Sequence, residues 1–168
     1  MTADPRNIVL IGMAGVGKST VGVLLAKALS RQFVDTDLMI QAAEGRRLQD
    51  ILDAEGLDAF RRIEERHVLA LDIHDAVVAT GGSVVYSDAA MDHLKQDGVA
   101  VYLRLDAQTL EARVTGSDPR GLAIAPGQTF KDLYDERRPL YERHADITIE
   151  CAGLTHEAVV ARIVDALG

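Results

Sequence analysis

Apolar residues fall along this chain in two alternating patterns. Short, mostly continuous apolar runs occupy residues 8–11, 33–35, 76–79, 100–103 and 147–149, the pattern of strands buried on both faces. Between them the apolar positions recur every three or four residues, as in Val21, Leu24, Leu25, Ala28 and Leu29, which predicts covering helices. The stretch "RIEERHVLALDI" turns from charged to apolar and predicts an amphipathic helix explained by packing. Another covering helix is predicted after Thr155, a candidate N-cap, with Val159, Val160, Ile163, Val164 and Leu167 on its apolar stripe. Strand and helix signals alternate without repeats or low-complexity linkers, so the expectation is a single α/β domain over residues 1–168, a parallel sheet with helices on both faces. In that architecture ligands bind beyond the carboxyl ends of the strands, and residues at those ends carry the functional reading.

The first strand runs into "IGMAGVGKST". Gly12, four further residues, Gly17, Lys18 and Ser19 match the phosphate-binding loop, in which backbone N–H groups cradle phosphates, the lysine reaches the β/γ oxygens and the hydroxyl ligates Mg²⁺. A helix begins directly behind the loop, so the anion would meet a helix N-terminus. The candidate nucleotide contacts are Gly12, Gly15, Val16, Gly17, Lys18, Ser19 and Thr20, with ATP and Mg²⁺ as the expected cofactors.

Composition narrows the class. With 48% hydrophobic and 26% charged residues, the chain has ordinary globular usage. A net charge of −8 argues against a nucleic-acid partner, and no apolar run approaches the length of a membrane span. The opening "MTADPRN" lacks a basic, apolar signal segment, and Cys151 is the sole cysteine, which excludes an internal disulfide; both predict a cytoplasmic protein, read here as a monomer. The five histidines show no metal-ligand spacing and read as surface residues. Asn7 is the sole asparagine, so the guanine-specifying N-K-x-D element of a regulatory GTPase is absent.

Other candidates cluster at strand ends. "VDTDLMI" puts Asp35 and Asp37 at the end of the second strand, where Asp37 has the setting of an N-cap. Beside a phosphate loop such carboxylates also support a metal shell or orient an acceptor hydroxyl. Gly81 and Gly82 follow the third strand and let backbone approach a small ligand. Arg61, Arg120 and Arg137 carry the remaining positive charge of interest. Arg120 lies in a Gly- and Pro-punctuated segment downstream of Arg113, the kind of loop that closes over a site, here a lid at about residues 115–127. A nucleotide-binding module without catalysis would share the loop but has no use for Asp35, Asp37, Arg61 and Arg120 together.

In order along the chain, the phosphate loop, "FVDTD", "GLDAFRRIE", "ATGG", an arginine-bearing lid segment and "RRPLY" followed by "AD" resemble the shikimate kinase family. The resemblance implies a three-layer P-loop fold with strand order 2-3-1-4-5 and transfer of the ATP γ-phosphate to a ring hydroxyl of shikimate. It also implies roles for particular residues. Lys18 and Ser19 hold phosphates and Mg²⁺, Asp35 supports the metal, Asp37 binds acceptor hydroxyls, and Lys18, Asp37 and Arg120 are catalytic. Arg61 and Arg137 hold the acceptor carboxylate, Gly81, Gly82 and Ser83 line the acceptor pocket, and Arg113 stacks near adenine. The chain departs from the family pattern where a third glycine is Ser83, where the lid reads Arg120, Gly121, Leu122, Ala123, and where Leu57 follows Gly56. These positions leave a different small hydroxy acid, such as homoserine, as the alternative acceptor.

Overall fold

The first apolar run becomes the middle of a sheet. In the computed structural model, which describes residues 6–115 and 122–168, β1 (Asn7–Ile11) pairs in parallel with β3 (Ala76–Ala79) on one side and β4 (Gly98–Arg104) on the other. β2 (Gln32–Asp35) extends the sheet beyond β3, and β5 (Ile147–Glu150) extends it beyond β4. The order is therefore β2-β3-β1-β4-β5, as the family resemblance implies. Every residue of β1 and β3 is buried. Because successive side chains point to opposite faces, both faces must be covered. α1 (Lys18–Leu29) and α4 (Asp88–Gln96) both pack on β1, α6 (Phe130–His144) on β4, and α7 (His156–Leu167) on α1 and β5.

α2 (Thr36–Glu44) and α3 (Leu48–Leu69) build a second, smaller apolar cluster beside the carboxyl edge of the sheet. Ile40, Leu48, Ile51, Phe60 and Ile63 meet there with Ala123, which follows the last short helix of the sheet's outer edge, α5 (Ala107–Thr115). α3 changes direction at Gly56, whose φ of 85° and ψ of 176° lie outside helical space and suit glycine. The bend aims the second half of the helix, with Arg61 and Glu64, at the carboxyl edge.

The helix predicted through "RIEERHVLALDI" stops early, at Leu69. The following segment is claimed by Asn7 instead: its Nδ2 donates to the Ile73 carbonyl at 2.8 Å and its Oδ1 accepts from the Ala76 N–H at 2.9 Å. That bridge draws the chain out of the helix and into β3. Residues 116–121 of the expected lid lie outside the described residues, while Leu122 and Ala123 at its far side are described.

α6 starts with reciprocal capping: Thr129 Oγ1 accepts from the Asp132 N–H at 3.1 Å and Asp132 Oδ2 accepts from the Thr129 N–H at 3.0 Å. The cap fixes the start of the helix that carries Arg137. Thr129→Ala is expected to lower unfolding free energy by about 1 kcal/mol, read from the denaturant midpoint. An unchanged midpoint would mean that packing alone sets where α6 begins.

Candidate functional site

A cavity of about 550 Å³ opens beyond the carboxyl ends of β1 and β3. Its phosphate side is the loop between β1 and α1. Gly17 caps α1 with its backbone in the left-handed region (φ 101°) and no side chain caps the helix N-terminus by a hydrogen bond, so the first N–H groups remain for an anion. Lys18 is buried and its Nζ donates to the carbonyls of Gly12 (2.6 Å) and Met13 (2.9 Å). Burial lowers its pKa to about 8, an effect that the Asp37 carboxylate opposes. Gly15, Ser19, Thr20 and Arg113 line the same side. Val16 is buried beneath the loop, and Arg113 Nη1 donates to the Gly15 carbonyl at 3.2 Å.

One carboxylate ties this side to α2. Asp35 Oδ2 accepts from Ser19 Oγ at 2.5 Å, while Oδ1 accepts from the N–H groups of Asp37 (3.0 Å) and Leu38 (3.2 Å). The N-cap of α2 is therefore Asp35 and not Asp37, as had been expected. The strand end leaves Asp35 in extended geometry with its side chain beside the first free N–H groups, whereas Asp37 already lies within the first turn. Ser19 Oγ and the Asp35 carboxylate are adjacent hard oxygen donors. Among the described residues no group of three or more His, Cys, Asp or Glu side chains gathers at a metal-binding distance. The pair thus fits a cation that takes most of its shell from water and phosphate oxygens, as Mg²⁺ does.

On the opposite side Asp37, Glu64, Gly81, Gly82, Ser83 and Arg137 converge. A Cβ at Gly81 would stand 2.5 Å from Glu64 Oε2 and 2.6 Å from Asp37 Oδ1, so only glycine lets the two carboxyls approach the backbone this closely. Burial raises Asp37 to about 6, with Asp35 adding to the rise. Burial raises Glu64 to about 7, against the effect of the hydrogen bond from Ser83 Oγ to Glu64 Oε1 at 2.6 Å. Glu64 Oε2 has no hydrogen-bond partner among the described residues. Arg137 is 2% exposed and its Nη2 donates to the Ala123 carbonyl at 3.0 Å. Tyr141 fixes the glycine turn by donating to the Gly82 carbonyl at 2.6 Å.

Most of the predicted residues are brought together, with clear exceptions. Arg61 does not line this cavity. It lines an adjoining one of about 240 Å³, beyond a wall formed by Glu64 and Ser83, with its guanidinium carbon 3.8 Å from the centroid of the Tyr86 ring. Arg120 lies outside the described residues. The histidines are not uniformly superficial: His144 is buried, and His156 lines the cavity with its ring against Gly17. His156 opens α7, and only the packing of α7 on α1 carries it to the loop. Glu64 was passed over as a site residue, although its place three residues after Arg61 on one helix face was a readable signal.

Comparison with known proteins agrees with this geometry. The family model described as shikimate kinase matches residues 14–168. A shikimate kinase of Thermodesulfovibrio yellowstonii is 41% identical over 95% of this chain and 93% of its own length, and one of Pasteurella multocida is 38% identical over 98% and 97%. Among solved structures, shikimate kinase from Acinetobacter baumannii in complex with shikimate superposes with a TM-score of 0.87 at 31% identity, covering 96% of this chain and 92% of that one. With the family model matched over residues 14–168 and these relatives similar over nearly the whole chain, the chain belongs to the shikimate kinase family.

Proposed function

We propose that the protein transfers the γ-phosphoryl group of ATP to a ring hydroxyl of shikimate. The observation that carries this reading is the one cavity in which a phosphate loop faces the half-buried Asp37, the buried Glu64 and the buried Arg137 guanidinium. It is supported by the shikimate bound in the Acinetobacter relative. Phosphoryl transfer asks little covalent work of a protein; positioning and charge neutralisation do most of it.

The loop backbone and Lys18 hold the nucleotide phosphates. On their arrival the lysine exchanges the carbonyls of Gly12 and Met13 for anionic oxygens, which favours its charged form. Mg²⁺, held by Ser19 with Asp35 behind it, would neutralise phosphate charge. Arg113 and Thr20 border the nucleotide, and Arg120 would enter from the lid. Asp37 faces the acceptor hydroxyls and orients the attacking one, with a pKa near neutrality that suits proton acceptance. Arg137 takes the acceptor carboxylate, because a guanidinium offers it two parallel hydrogen bonds; Arg61, in the adjoining cavity, would join it by moving past the wall of Glu64 and Ser83. Ser83 does not by itself favour the alternative acceptor: its hydroxyl already donates to Glu64, so it brings no free donor to the cavity it lines.

Lys18→Ala is expected to abolish most ADP formation in a coupled assay while leaving the melting temperature near the parent's. Undiminished turnover would overturn the loop assignment. Arg137→Ala is expected to raise the shikimate KM about thirtyfold, equivalent to about 2 kcal/mol for one charge-assisted pair, with the ATP KM nearly unchanged; a rise in the ATP KM alone would place Arg137 on the nucleotide side. Across a panel of shikimate, homoserine, gluconate and water, shikimate is expected to give the highest kcat/KM. Preferential turnover of homoserine would replace the acceptor while retaining the kinase.

A further inference from the structure

Tyr86 ends the single 3₁₀ turn at Val84–Tyr86 that follows Gly81, Gly82 and Ser83. It stands between the two helices that carry the arginines assigned to the acceptor carboxylate. The Arg61 guanidinium carbon, from α3, lies 3.8 Å from the ring centroid and that of Arg137, from α6, lies 5.5 Å away. The ring is fixed at its far end, where the hydroxyl donates to Glu136 Oε2 at 2.5 Å and accepts from Arg137 Nε at 3.4 Å. Two neighbours anchor the same segment to α3: Ser83 Oγ donates to Glu64 and Ser87 Oγ donates to Glu65.

Arg61 is otherwise poorly provided for. Among the described residues its Nε is buried without a hydrogen-bond partner, and its charge is felt by the carboxylates of Glu64 and Glu136. An aromatic face is an unusual but fitting companion for such a group. It attracts the positive charge through its quadrupole, yet it accepts none of the in-plane N–H bonds. A carboxylate in the same place would take up two of them. Stacked on Tyr86, the guanidinium is held in one plane with its donors still available.

We propose that Tyr86 is a positioning residue for the acceptor: its ring, within reach of both guanidiniums, holds Arg61 in a fixed plane without taking up its N–H groups, which are kept for the acceptor carboxylate. The proposal rests on the carboxylate role given above to Arg61 and deepens it. A tyrosine that merely filled space would serve equally well whether or not Arg61 were present, and its loss would disturb both substrates or only stability.

The test measures kcat and both KM values with shikimate and ATP for the parent, Tyr86→Phe, Tyr86→Leu, Arg61→Ala and the double variant Arg61→Ala with Tyr86→Leu, with melting temperatures alongside. Tyr86→Leu removes the aromatic face and is expected to raise the shikimate KM roughly three- to thirtyfold, with the ATP KM within about twofold of the parent. Tyr86→Phe keeps the face and is expected to restore most of the affinity. In the Arg61→Ala background, adding Tyr86→Leu is expected to change the shikimate KM much less than in the parent, since only the contact of Tyr86 with Arg137 then remains to be lost. An Arg61→Ala variant with an unchanged shikimate KM would overturn the carboxylate role of Arg61 and this proposal with it. If Arg61→Ala raises that KM and Tyr86→Leu does not, only the role of Tyr86 falls. A Tyr86→Leu effect that persists at full size without Arg61, or that raises the ATP KM equally, also overturns it.

Discussion

Lys18, Asp37, Glu64 and Arg137 share one cavity, all but the half-buried Asp37 largely withdrawn from water, and holding these charges there is the constraint around which the site is built. Removing a charge from water is costly unless fixed dipoles or opposite charges replace the solvent. Each group accordingly has an identified partner: backbone carbonyls for Lys18 and Arg137, a serine hydroxyl for Glu64, and the Lys18 charge acting on Asp37. The replacement is incomplete, as the shifts of Lys18 towards the neutral form and of Asp37 and Glu64 towards the protonated form show. Under the proposed function, the polyphosphate would meet Lys18 and the acid's carboxylate would meet Arg137, so these groups are arranged in advance for charge that the substrates bring.

The scaffold delivers these groups from both sides of the chain's switch in direction. β1 and β3 are neighbours, so the phosphate loop and the glycine turn after β3 emerge side by side. Asp35 then links α1 to the start of α2 through its two oxygens, and the orientation of Asp37 follows from that cap. The Arg137 side chain holds the Ala123 carbonyl, and Ala123 packs into the small cluster formed by α2 and α3. The residue proposed to take the acceptor carboxylate thereby also holds Ala123, just beyond the residues that the structure leaves undescribed. Movement of one has to be accommodated by the other, because packed interiors transmit displacement.

Much of this was written in local pattern. The apolar runs announced all five strands, although β4 proved longer, running from Gly98 to Arg104. The loop from Gly12 to Ser19 carries its own geometry, since glycine backbone freedom and the lysine and hydroxyl at fixed offsets act within one turn of chain. The order of further motifs was enough to indicate the family, and with it the sheet order and most of the residues that converge on the cavity.

Tertiary structure decided what sequence neighbours could not. Asp35 and Asp37 are chemically equivalent candidates for the cap, and only the end of β2 and the position of Ser19 select Asp35. Ser83 stood out only as a departure from the family's glycines, and α3 is what brings Glu64 within reach of its hydroxyl. Arg61 sits behind a wall and on an aromatic ring because Tyr86 is held by Glu136, fifty positions further along the chain. His156 reaches the phosphate loop only because α7 closes over α1. The sequence by itself determined the elements and the loop chemistry, since periodicity and short motifs act between near neighbours. The partners of the buried charges were decided by packing, because a side chain chooses among equivalent partners by which of them the fold brings within hydrogen-bonding distance.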